Sequence, residues 1–86
     1  MKKIIIRLHP FNLEQLVFVY EDGNRIDQDE VTIDEIGSSV MFLCKKHNID
    51  QIDLTGPKQY SKGVQHKIQE EELTNYGMNK IKINII

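Results

Sequence analysis

This chain has no tryptophan, one cysteine, two prolines and no cluster of lysine and arginine within its 86 residues. A lone Cys44 excludes an internal disulfide and leaves too few thiols for a zinc-finger spacing, so a reducing, cytoplasmic setting is expected. Long apolar runs are also missing. The opening MKKIII carries the charges of a signal peptide, but its apolar stretch stops at Arg7, short of a secretory or membrane segment. It reads as a strand, and no membrane is expected among the partners. Eleven Lys and Arg against thirteen Asp and Glu give a formal charge of -2, with the cations scattered, so the electrostatic footprint of a nucleic-acid binder is lacking. Nucleic acid remains possible but is not favoured.

What is present describes one compact domain over residues 1–86. A chain of this size supports a single core and buries about 60 to 65% of its unfolded surface. Residues 2–8 alternate around Ile4, Ile6 and Leu8 with Ile5 also apolar, the pattern of a central strand covered on both faces. LVFVY at 16–20 is a second strand, and EDGN at 21–24 carries an Asp-Gly turn into a third near 25–28. Thr32 and Glu35 have capping-box spacing, and Val31 and Ile36 that of a hydrophobic staple, so a first helix is expected to start there. Its stripe continues through Val40, Leu43, Cys44 and His47, and Asn48 suits a left-handed end with Ile49 folding back.

QIDLT at 51–55 is a short fourth strand. Pro57 suits the first position of a second helix running toward Thr74, with Tyr60, Val64 and Ile68 inward. Leu73 falls off that stripe, so a bend or frayed turn is expected before Gly77. KIKINII at 80–86 alternates strictly, which places Ile81, Ile83 and Ile85 on one face of a fifth strand. The order is β-β-β-α-β-α-β. Right-handed crossovers then make strands one, four and five parallel neighbours in a five-stranded mixed sheet of order 3-2-1-4-5 with two helices. Ile4, Ile6, Val17, Val19, Val40, Leu43, Leu54, Val64, Ile68 and Ile83 are the expected core.

Two segments carry a family resemblance. RLHPFNLEQLVFVYEDGNRI is similar to the opening of RuvC-type nucleases in the ribonuclease H-like superfamily, where a strand ends in Ile-Asp-Pro-Gly before a second strand and an Asp-Gly turn. Pro10 and residues 22–24 stand where that pattern expects them. His9, however, occupies the place of the first catalytic Asp, and Phe11 that of the glycine. In the same families the fourth strand commonly ends in Glu before Gly-Pro, and this chain has Thr55 before Gly56 and Pro57. The resemblance implies a small ribonuclease H-like α/β domain whose two-metal chemistry has lost its carboxylates, since His and Thr do not supply that charge. On this resemblance the family's further C-terminal helix and its acids are expected to be missing after the fifth strand.

Candidate binding residues are His9, Thr55, Gly56 and Lys58 on this degenerate face. LTGPK offers helix N-terminal amides to a phosphate, against the simpler reading of a tight strand-to-helix turn. No Walker-type motif supports the phosphate. His9, His47 and His66 lie in three elements, without an i,i+4 partner of ligand type, so no metal and no cofactor is expected. Cys44 sits on an apolar stripe and reads as core. DQDE at 27–30 and EEE at 70–72 read as solvated surface, with an acidic DNA-mimicking patch as a second reading. Gly37, Ser38 and Ser39 leave a small side on the first helix for the sheet or a second copy.

The expected function is a non-catalytic interaction protein that binds another protein or itself. It is expected to be encoded by a phage or mobile element, and its Ile, Lys and Asn content fits an AT-rich genome, such as that of a low-GC bacterium or one of its phages. The alternative is a nucleic-acid-binding remnant of a ribonuclease H-like nuclease. A homodimer through the fifth strand or the small side of the first helix is expected, because an edge strand offers unpaired backbone groups.

Overall fold

The computed structural model describes residues 1–77 and 80–86. β1 (Lys2–Arg7), β2 (Glu14–Glu21) and β3 (Asn24–Thr32) form an antiparallel meander, followed by α1 (Ile36–His47), β4 (Gln51–Thr55), α2 (Lys58–Glu71) and β5 (Lys82–Ile85). β4 lies parallel to β1 and β5 parallel to β4, so the sheet order is β3-β2-β1-β4-β5. This is the expected topology. Between β2 and β3, Asp22 and Gly23 both take positive φ (51° and 83°), which matches the hairpin turn to the right-handed twist of its strands.

Register builds the core. Ile4 stands between Val19 and Ile52, and Ile6 between Val17 and Leu54, and all six side chains are completely buried. Each fully buried aliphatic of this kind contributes about 1.5 to 3 kcal/mol relative to exposure. Ile36, Val40, Leu43 and Cys44 of α1 and Val64 and Ile68 of α2 close over that layer. Met41 is buried as well, widening the stripe expected of α1, because this helix packs on both the sheet and α2. Ile83 is only half-buried, as its strand is at the sheet edge.

Several local expectations change. β3 runs on to Thr32, which still pairs with Glu14; a 3₁₀ turn at Ile33–Glu35 intervenes before α1, and Thr32 makes no side-chain cap. The capping box is therefore not formed. Pro57 precedes α2 instead of being its first residue. Gly37 does serve close packing, but against α2, where a Cβ would meet the Lys67 carbonyl at 3.1 Å; Ser38 beside it stays exposed. The α1 end is as expected. Asn48 is left-handed, its N–H meets the Lys45 carbonyl and that of Ile49 the Cys44 carbonyl at 2.8 Å, satisfying carbonyls the helix leaves open.

The bend after α2 is a single π-helical turn, Glu72–Tyr76, ended by Gly77. It turns Leu73 outward and Glu72 inward. Glu72 is therefore not surface, as the EEE run implied, but 1% exposed, and its Oε2 accepts the N–H groups of Lys80 (3.0 Å) and Ile81 (3.1 Å) at the entry to β5. Both helices pack against each other and hence on one face of the sheet. No helix among the described residues is long and apolar enough to cross a membrane.

Candidate functional site

His9, Thr55 and Gly56 meet where β1 and β4 end. The Leu8 N–H donates to the Thr55 carbonyl at 2.8 Å, and the Thr55 hydroxyl donates to the Ile6 carbonyl at 3.3 Å. Gly56 follows at φ 138°, so close to the β1 exit that a Cβ would stand 2.7 Å from the Leu8 carbonyl oxygen. Glycine is required there on both grounds. Lys58 begins α2 and is exposed.

The residue that organises this end was not anticipated. Gln15 is completely buried, and its amide oxygen accepts the His9 N–H at 2.7 Å while its nitrogen donates to the carbonyls of His9 (3.0 Å) and Asn12 (2.8 Å). The Asn12 N–H closes a tight turn on the His9 carbonyl. Phe11 and Leu13 are held exposed around that turn. The only hint in the sequence is a polar residue in line with Val17 and Val19, at an inward position of β2.

Elsewhere, histidines take structural partners. His47 Nε2 lies 2.9 Å from Asp27, with Lys46 at 3.5 Å, and this pairing together with the Gln28 N–H holds the Asp27 carboxyl below the usual carboxylate range. Asp27 is thus tied to the end of α1, contrary to a wholly solvated DQDE. His66 does have an i,i+4 partner of ligand type, Glu70 at 3.0 Å, which corrects the earlier reading; both side chains are exposed. Among the described residues no three His, Cys, Asp or Glu side chains gather around a metal position. Cys44 is buried, and burial, with the Glu72 and Asp50 charges, pushes its thiol up to about 12.

The sheet face opposite the helices carries the other concentration of chemistry. Register sets it out in three rows across the strands: Thr55, Arg7, Leu16 and Glu30; then Asn84, Asp53, Ile5, Phe18 and Gln28; then Lys82, Gln51, Lys3, Tyr20 and Arg25. Asp53, 6% exposed, is neutralised by Lys3 at 3.1 Å and hydrogen-bonded by Asn84 at 3.1 Å. Phe18 is covered by the guanidinium groups of Arg7 (5.3 Å from the ring centre) and Arg25 (5.4 Å), and Tyr20 lies 6.5 Å away. Neither arginine has a carboxylate partner among the described residues. Glu14 and Glu30 crowd one corner, where hydrogen bonding between them and mutual repulsion raise the Glu30 carboxyl above its ordinary value.

No described protein family matches the sequence, and no curated protein matches it. Among solved structures, a protein of Bacteroides thetaiotaomicron VPI-5482 described as having an actin-like ATPase fold and unknown function superimposes with a TM-score of 0.69 at 10% identity. The match covers 99% of this chain and 32% of that one, so the chain spans about a third of its neighbour's length. At such identity the likeness concerns the fold alone. It supports an α/β domain with the β3-β2-β1-β4-β5 sheet, and its description is actin-like, not ribonuclease H-like.

Proposed function

We propose that this chain is a non-catalytic protein-interaction domain, cytoplasmic and encoded by a phage or mobile element, and a reduced relative of the ribonuclease H-like nucleases. One observation carries the interaction reading: with both helices on one side, the other side of the sheet keeps Ile5, Leu16 and Tyr20 half-buried beside Phe18. A sheet is expected to be apolar on the side it packs, and here β2 is apolar on both. His9 and Thr55, at the positions where the resemblance expects acids, support the non-catalytic reading. A binding experiment tests it. Protein-coated beads should retain a partner from a lysate of the encoding organism in 0.5 M salt, and Tyr20→Glu beads should not. Equal retention by both would refute the reading.

The second reading, a nucleic-acid-binding remnant, draws on Arg7, Arg25 and Lys82 sharing that face. It requires binding to branched DNA or an RNA hybrid that weakens steeply with salt. The actin-like likeness contributes no nucleotide-binding argument here, because it extends to fold only.

A further inference from the structure

We infer that the uncovered sheet face is a self-complementary surface, and that its occupant is a second copy of this chain related by a two-fold axis running across the strands through the Ile5–Phe18–Gln28 row. The inference rests on the interaction reading in taking this face as the binding surface. Its own content is the charge pattern. The rows flanking Phe18 are unlike: on β3 one ends in Glu30, with Glu14 beside it, and the other ends in Arg25. An axis along the middle row exchanges those rows between copies. Each Glu14–Glu30 pair then faces the partner copy's Arg25 row, twice by symmetry, and each Leu16 faces a Tyr20. The crowded carboxyls gain a cation, and the guanidinium that lacks a carboxylate gains one. Arg7 comes to face the Lys3 row, where Asp53 of the same chain already neutralises the lysine. The alternative axis, along the strands, brings the Lys3, Arg25 and Lys82 row onto itself and is opposed by charge.

Size sets the strength. Five strands about 4.8 Å apart and about five residues long at about 3.3 Å each make a face of roughly 24 by 17 Å, some 400 Å² a copy. That is about half of the 800 Å² or so per partner in a standard interface, so a weak, reversible dimer is expected.

Sedimentation equilibrium between 5 and 500 μM decides the matter. Wild type should reach a monomer–dimer equilibrium. Arg25→Glu and Glu30→Arg should each weaken it at least tenfold, and the double variant should return to within about threefold of wild type. Thermal melts of each variant report whether it is folded. Gln28→Cys provides an independent check at an exposed position: it lies beside the axis, so mild oxidation should link it to its mate faster than a cysteine placed at Lys82. A monomer throughout the range overturns self-association, while the interaction reading still depends on the partner-retention assay. A dimer indifferent to the charge exchange, or equal cross-linking at 28 and 82, overturns this face and leaves the β5 edge as the contact.

Discussion

Replacing Gly56 by alanine tests the joint between β1 and β4 directly. The residue has φ 138°, a region open almost solely to glycine, and the added methyl would stand 2.7 Å from the Leu8 carbonyl oxygen and 3.1 Å from the Leu8 Cβ. Backbone strain of this kind costs about 1 to 3 kcal/mol. The overlap adds about 1 to 3 kcal/mol more, because the atom in the way is backbone, and moving it disturbs the 2.8 Å bond from the Leu8 N–H to Thr55. A loss of about 3 to 5 kcal/mol is expected from a domain holding about 4 to 13 kcal/mol in total. Gly23→Ala is the control. It also has positive φ, at 83°, but nothing lies within 4 Å of the added atom, so about 1 to 2 kcal/mol is expected. Urea unfolding of both variants measures the difference. If Gly56→Ala were no more destabilising than Gly23→Ala, within about 0.5 kcal/mol, the close approach at the joint would be refuted.

Leu43→Ala should cost about 2 to 5 kcal/mol in the same assay, since the side chain is 5% exposed inside the α1 layer; a change below about 0.5 kcal/mol would place it outside the core. Gln15→Leu should cost about 1 to 3 kcal/mol through unpaired groups at His9 and Asn12, and amide exchange should rise at His9, whose N–H is bonded to Gln15. With its thiol pushed up to about 12, Cys44 stays protonated at neutral pH and should react with a disulfide reagent only on unfolding; rapid labelling of native protein would contradict its burial. No cleavage of junctions, hybrids or single strands is expected with magnesium or manganese. Metal-dependent turnover lost on His9→Ala or Thr55→Ala would reverse the non-catalytic reading.

The strands and their order were legible because their signals were local and agreed with one another: β-branched runs, an Asp-Gly turn, and a left-handed Asn48. The capping box failed where two signals competed for Thr32. Its place in the ladder opposite Glu14 prevailed over its use as a cap. Glu72 was misread because a third acid in a row resembles surface; the π-helical turn carries it inward, where the N–H groups of Lys80 and Ile81, eight and nine residues away, satisfy Oε2 while Oε1 has no partner among the described residues. Gln15 was overlooked for a similar reason, its partners being known only once the β1–β2 loop folds back. The uncovered face was implied but not drawn out. Two right-handed crossovers moving the same way across a sheet place both helices on the same side, so the opposite side remains uncovered.

The two ends of the candidate chemistry are not equivalent. At the β1–β4 end, where the resemblance expects acids, the polar groups are already engaged with one another: Thr55 with Ile6 and Leu8, His9 with Gln15, and Gly56 pressed against Leu8. These bonds use backbone groups, the Gln15 amide and the Thr55 hydroxyl, and breaking one leaves a costly unpaired group, while the exposed side chains of His9 and Lys58 take no part in them. On the sheet face the situation is reversed. Arg7 and Arg25 rest on Phe18 with no carboxylate partner among the described residues, and Glu14 and Glu30 share a hydrogen bond and repel each other, so a complementary surface would offer each sign of charge a partner. On the proposed reading, binding falls on the face before the joint. A loop held by a fully buried glutamine acts as a fixed corner of the fold, with Phe11 exposed at its tip.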